Sequence, residues 1–160
     1  MLKLFPYLEV LAIDEFPGSL RRLEANLAMV GLIQVEKAEG ALMAAQMLSR
    51  RSYHIVFVAL EMWEIDGLEF LGCLSRDPKL QTTLRVAVSD DGSVRRKASA
   101  IRSGADAFLS RPVSSERLKR TLTNLLNSPA AKRGTIVPLT SARDWRRTPD
   151  WSLDELTPWG

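Results

Sequence analysis

Two acidic residues, a hydroxyl residue and an arginine stand where side chains could do chemistry. Asp14 and Glu15 follow one apolar run, Ser89 ends another, and Arg111 follows a third. Carboxylate oxygens suit a hard cation such as Mg²⁺, whereas the guanidinium fork suits a carboxylate or a phosphate. Two interpretations remain open: residual Mg²⁺ binding by Asp14 and Glu15, or an internal ion pair in which Arg111 binds one of these carboxylates. We favour the ion pair.

A second group of chemically versatile residues lies near the C-terminus. Arginine offers a planar fork for phosphate and for the O6/N7 edge of guanine, and the indole of tryptophan is a stacking platform for a base. Aspartate can accept hydrogen bonds from guanine N1–H and N2–H₂. This combination favours a guanine nucleotide as ligand, and the candidate contacts are Arg133, Arg143, Asp144, Trp145, Arg146, Arg147, Asp150 and Trp151.

The elements that must position these residues alternate regularly along the chain. Short apolar runs predict strands at 8–13, 33–35, 55–60, 84–88 and 107–109. Helical spacing of apolar residues predicts helices at 20–30, 41–51, 67–74, 94–102 and 114–126, with Asp66 as N-cap of the third. Such alternation predicts an α/β fold: a doubly wound, five-stranded parallel sheet with right-handed crossovers. Because ligand chemistry gathers at the carboxyl ends of parallel strands, we expect the first group to share that edge.

Composition narrows the classes of protein. A hydrophobic fraction of 46% is typical of a globular chain, and the longest apolar run, 55–60, is too short to cross a bilayer. No N-terminal signal peptide is predicted, and the single cysteine, Cys73, fits a reducing cytoplasm. A net charge of +3 is too weak to indicate nucleic acid, and the acids of the C-terminal segment would repel a phosphate backbone.

The composition and the apolar pattern of the sequence change after Asn127. Residues 128–160 contain four prolines and three of the four tryptophans, without an apolar period that could build a core. We therefore divide the chain into a domain at 1–127 and a tail at 128–160, and we predict that the free tail is extended or disordered.

Four stretches in this order resemble the receiver domain of response regulators, which has a flavodoxin-like (βα)5 fold. They are Ile13–Pro17, Leu60–Gly67, Val86–Ser89 and Gly104–Pro112. The resemblance implies an acidic pair at Asp14 and Glu15 and a hydroxyl at Ser89 that moves onto a phosphoryl group. It places the phosphoacceptor aspartate on Ala59 and the usual lysine on Arg111, so it implies a receiver-like domain that cannot be phosphorylated and is no enzyme.

Several neighbours of this degenerate site carry their own expectations. Phe108 matches the switch aromatic of the family and is expected to pack in the core. Met62 and Trp63 are expected to cover the site, because a missing carboxylate favours apolar cover. Glu61 lies beyond the strand end and His54 before it, so neither is expected to replace the phosphoacceptor.

Two spacings in the tail narrow the resemblance. Arg143 and Arg147 form R-x-x-x-R, and Arg147 and Asp150 form R-x-x-D. A degenerate receiver with such a tail resembles the CheY-like cyclic-di-GMP effectors. That resemblance implies cyclic di-GMP as ligand and the flagellar motor switch as protein partner, with no metal. Two alternatives stay open: a tail that binds anionic surfaces without specificity, and a ligand-independent adaptor that binds proteins through the surface of residues 94–126 and the tail.

Overall fold

In the computed structural model, residues 7–133 are described, without the side chains of 132 and 133. Five strands form one parallel sheet in the order β2-β1-β3-β4-β5. The strands are β1 (Glu9–Asp14), β2 (Gln34–Glu39), β3 (Ile55–Ala59), β4 (Leu84–Ser89) and β5 (Ala107–Ser110). The helices are α1 (Pro17–Met29), α2 (Ala41–Arg50), α3 (Gly67–Arg76), α4 (Val94–Ser103) and α5 (Ser115–Leu126). The predicted fold class is confirmed.

The core consists of two apolar layers, one on each face of the sheet. In β3, Ile55 and Phe57 pack with leucines of α1 and α5, whereas Val56 and Val58 pack with residues of α2, α3 and α4. Alternate residues of a strand point to opposite faces, so a strand covered by helices on both faces must be apolar throughout. All five residues of β3 are buried for this reason.

Two local predictions need correction. The second strand was predicted at 33–35, but β2 runs over Gln34–Glu39, because it lies at the sheet edge and carries charged residues on its exposed positions. Asp66 stands at the N-cap position of α3, but its side chain accepts no hydrogen bond from the first turn. The N–H of Gly67 instead donates to the carbonyl of Leu60 at 3.1 Å, which places the start of α3 against the end of β3.

The packed part of the chain continues past α5. A short 3₁₀ helix at Pro129–Arg133 follows, and Ala131 is only 1% exposed within the apolar layer formed with α1 and α5. The predicted conformation of the tail at 134–160 lies outside the described residues.

Candidate functional site

An ion pair lies at the carboxyl edge of the sheet. β1 ends at Asp14, and Arg111 directly follows β5; its Nη2 lies 2.6 Å from Oδ2 of Asp14. The other carboxylate oxygen of Asp14 accepts a hydrogen bond from the N–H of Phe16 at 3.2 Å. Burial raises the pKa of Asp14, although the Phe16 N–H and the Arg111 guanidinium act in the opposite direction. The internal ion pair that we favoured from the sequence is therefore present on Asp14.

Glu15 faces a different partner. Its carboxylate accepts the backbone N–H groups of Trp63 at 2.8 Å and Glu64 at 2.9 Å. These bonds tie the loop that follows β3 to the end of β1. Glu15 thus acts as a structural clamp in this arrangement.

The donor set does not fit the Mg²⁺ ion that Asp14 and Glu15 could have held by the first interpretation of the sequence. A Mg²⁺ site needs several oxygen ligands in near-octahedral order. Ala59 supplies no side-chain oxygen, Asp14 is paired with Arg111, and both oxygens of Glu15 accept backbone N–H groups. Within residues 7–131, no group of three or more His, Cys, Asp or Glu side chains is arranged to hold a metal.

The contacts of Glu61 were not predicted from the sequence. Its Oε2 accepts the hydroxyl of Ser89 at 2.7 Å and Nη2 of Arg96 at 2.9 Å, and its Oε1 accepts the N–H of Asp90 at 3.0 Å. Nη1 of Arg111 lies 3.8 Å from Oε1. From the sequence, Glu61 was considered only as a replacement phosphoacceptor; its side chain reaches back across the loop to the end of β4. A long acidic side chain two residues after an alanine at a strand end was the available signal.

The electrostatics of Glu61 favour its charged form. Burial by itself would raise the pKa of Glu61, but hydrogen bonds from Ser89, from the Asp90 N–H and from Arg96 outweigh that effect and lower it. The lowered pKa favours the charged carboxylate of Glu61 beside the buried hydroxyl of Ser89.

The aromatic and apolar neighbours of the site differ in their exposure to solvent. Met62 is buried and Phe108 half-buried, and both pack with the apolar layer on the α2, α3 and α4 side of the sheet. Trp63 is 88% exposed, so the expectation that it covers the site was wrong. Glu15 fixes the backbone of Trp63 and the indole projects into solvent.

A cavity of about 330 Å³ lies beside Ala59, between α1 and the segment after β5. Its wall is mainly apolar, and the polar groups of Asp14, Asn26 and Arg111 also line it. The volume is at the lower end of the range for small-molecule sites. Because Asp14 and Arg111 line the cavity, it lies at the same edge of the sheet as the ion pair.

The candidate cyclic-di-GMP contacts lie outside the described residues. This holds for Arg143, Asp144, Trp145, Arg146, Arg147, Asp150 and Trp151, and for the side chain of Arg133. Their role stays a prediction. In the part of the chain that the structure covers, no helix is long and apolar enough to span a membrane.

A parallel sheet in the order 2-1-3-4-5 is the flavodoxin-like arrangement, and acidic, hydroxyl and basic residues lie at its carboxyl edge here. The chain belongs to the response regulator receiver domain family, whose model matches residues 10–123. In this chain, Ala59 ends β3 and Arg111 directly follows β5.

Known relatives agree with this assignment. The chain is 29% identical over 119 residues to the response regulator Rre1 of Synechocystis, covering 74% of this chain and 52% of Rre1. A solved putative two-component system response regulator/GGDEF domain protein is 29% identical, with a TM-score of 0.71 over 82% of this chain and 53% of that one. A CheY-like receiver domain protein of Methanospirillum hungatei, 20% identical, shares the fold with a TM-score of 0.66 over 79% of this chain and 98% of that one. The chain thus spans about half the length of Rre1.

Proposed function

We propose that this protein is a receiver-like signalling protein that binds cyclic di-GMP through its Arg-rich tail and then engages a protein partner, the flagellar motor switch. The observation that carries the proposal is the altered site: Ala59 offers no nucleophile, and Arg111 is engaged by Asp14. A signalling domain without its usual phosphoryl input needs another one. The tail supplies arginine, tryptophan and aspartate, which match the phosphates, bases and base edges of a guanine dinucleotide.

A phosphorylation assay tests whether this domain has lost the phosphoryl input. Small phosphodonors with Mg²⁺ are expected to leave the mass of the protein unchanged, because phosphoryl transfer to a receiver requires a carboxylate nucleophile at position 59. Intact mass spectrometry at low pH measures this. A gain of one phosphoryl group that is stable to acid and labile to base would contradict the proposal.

The expected interaction free energies are compatible with binding of cyclic di-GMP by the tail. A hydrogen bond to a charged group contributes about 1.5–3 kcal/mol, and stacking of a base on an aromatic ring about 1–3 kcal/mol. Three arginine contacts and one stack therefore supply about 6–12 kcal/mol gross, and ordering of a segment removes about 2–5 kcal/mol. The remainder of about 1–10 kcal/mol includes the value of about 8 kcal/mol that corresponds to micromolar affinity.

Isothermal titration calorimetry with cyclic di-GMP tests the tail site. We expect micromolar or tighter binding to the wild type and no detectable binding to the double variant Arg143→Ala/Arg147→Ala, because two charge-assisted contacts are worth about 3–6 kcal/mol. The matched control is Arg95→Ala/Arg120→Ala, which removes two exposed arginines from α4 and α5 and should bind as the wild type does. Wild-type affinity in the tail variant, or equal affinity for an unrelated linear dinucleotide, would rule out the proposed site.

A second candidate function is a ligand-independent adaptor. The observation in its favour is the exposure of large apolar side chains on α4, where Val94 is 85% and Ile101 44% exposed. Absence of heat with cyclic di-GMP in the wild type, together with binding of a protein partner that is lost on Val94→Ser/Ile101→Ser, would favour this function over the first.

A further inference from the structure

Hydrogen-bond donors and cations from three segments surround the carboxylate of Glu61. The hydroxyl of Ser89 and the N–H of Asp90 come from the end of β4, Arg96 from the first turn of α4, and Arg111 from the end of β5. We propose that these groups form an anion-binding cradle and that Glu61 is its built-in ligand, in the place that a diffusible oxyanion would otherwise occupy.

The geometry is that of a site rather than of a surface ion pair. Ser89 is 0% exposed, and its oxygen also accepts the N–H of Asp91 at 3.0 Å, so its one hydrogen is left for the carboxylate. Each oxygen of Glu61 has a donor within 3.0 Å, and Oε2 has two. Hydroxyl, backbone N–H and guanidinium groups that converge on one point are the usual donor set for a carboxylate or a phosphate.

The cradle needs an anion, and the chain supplies one. Without Glu61, the guanidinium of Arg96 and the buried hydroxyl of Ser89 would lose their shared acceptor. Ala59, at the end of β3, has no carboxylate with which to replace it. Glu61 is tethered two residues further on, so its effective concentration at the cradle far exceeds that of a free anion.

The consequence is that the β4–α4 segment is held by the chain itself. Asp90 and Arg96 flank that segment, and both are bound to Glu61 in the loop after β3. A free oxyanion at ordinary concentration cannot displace the tethered carboxylate, so the segment keeps one arrangement whether or not such anions are present. This inference does not depend on the ligand of the tail.

Nitrogen-15 NMR of the full chain tests the cradle, with the Asp90 amide as reporter and inorganic phosphate as probe against chloride at equal ionic strength. In Glu61→Ala, phosphate is expected to shift this amide saturably, with an affinity in the millimolar range. In the wild type and in Glu64→Ala, which removes an exposed carboxylate from the same loop, no saturable shift is expected. Adding Ser89→Ala to Glu61→Ala should weaken phosphate binding about tenfold, as expected for a lost hydrogen bond to an anion.

Glu61→Gln controls for the possibility that Glu61→Ala fails to fold, because it retains the shape of the side chain and removes its charge. Phosphate should bind this variant more weakly than Glu61→Ala but more strongly than the wild type. A linear shift that chloride reproduces, or a wild-type protein that binds phosphate at this amide as well as the variants do, would overturn the proposal.

Discussion

Arg111 balances the charge of the site by using both arms of its guanidinium. Nη2 contacts Asp14, while Nη1 lies 3.3 Å from Oδ1 of Asp90 and 3.8 Å from Glu61. A lysine at this position would present one compact charge and could not serve carboxylates on two sides with fixed geometry. The arginine therefore suits a site whose anions belong to the chain.

His54 shows how one half-buried side chain contributes to the pH dependence of stability. Its Nδ1 accepts the N–H of Glu9 at 2.8 Å, so it must be unprotonated there, and burial followed by the nearby Arg51 lowers its pKa to about 4. In the unfolded chain, where the histidine pKa is near 6.5, His54 is protonated at pH values between the two pKa values. In the folded chain it remains unprotonated over that range. Stability should therefore fall by about 2 kcal/mol between pH 6.5 and pH 5.

Urea denaturation across that window measures this effect. His54 is the only histidine in the chain, so no other histidine titrates in this window. In His54→Asn, which keeps an acceptor for the Glu9 N–H and cannot take up a proton, the fall should be largely removed. An equally steep fall in the variant would mean that another group is responsible.

At the residue scale, the sequence indicated some contacts and missed others for physical reasons. Asp14 and Arg111 were expected to meet, because the ends of parallel strands share one edge and opposite charges pair there. Glu61 and Trp63 lie in a loop, and no sequence periodicity describes the backbone path of a loop. The contact of Glu61 with Ser89 and the exposure of Trp63 therefore could not be predicted from the sequence.

Among the elements, the junction of β3 with α3 depends on close approach of the backbone. A Cβ at Gly67 would lie 2.4 Å from the carbonyl oxygen of Ala59 and 2.4 Å from Cα of Leu60. Only a hydrogen at that position lets α3 begin directly against the strand end. The same approach holds the loop that carries Glu61.

Gly67→Ala is therefore expected to lower the free energy of unfolding by about 1–3 kcal/mol, because backbone must move to admit the methyl group. Gly18 in α1 is the matched control, since its Cβ would meet only arginine side chains at 3.7 and 4.0 Å. Gly18→Ala should leave stability unchanged or raise it by up to about 1 kcal/mol. Urea denaturation compares the two; equal losses would show that the close approach does not matter.

Element prediction succeeded where burial pattern and conformation agree. β3 is apolar on both faces, and its sequence is hard to read as anything but a central strand. β2 reads as polar after Val35, because an edge strand buries little of its side chains and is stabilised by its backbone bonds to β1. The helical residues of α5 were recognised from its leucines, whereas the buried turn at Pro129–Arg133 has too few residues to show a period.

Considered as a whole, the core that the described residues form extends as far as Ala131. This residue packs in the layer that contains Leu125 and Leu126 of α5, and its N–H donates to the carbonyl of Ser128 at 3.1 Å. The core thus includes the short 3₁₀ helix, while the proposed ligand-binding residues come after it in the chain, apart from Arg133 at its end. Folding and ligand binding should therefore be separable by truncation.

We expect a chain that ends at residue 133 to unfold at the same urea concentration as the full chain, because every core residue among those that the structure describes is retained. A chain that ends at 127 should lose about 1–2 kcal/mol, since Ala130 and Ala131 no longer cover the apolar layer. Both truncated chains should fail to bind cyclic di-GMP in calorimetry. Retained binding in the chain ending at 133 would move the ligand site from the tail to the folded domain, where the cavity beside Ala59 would be the place to examine. A midpoint well below that of the full chain would instead show that the tail contributes to the stability of the domain.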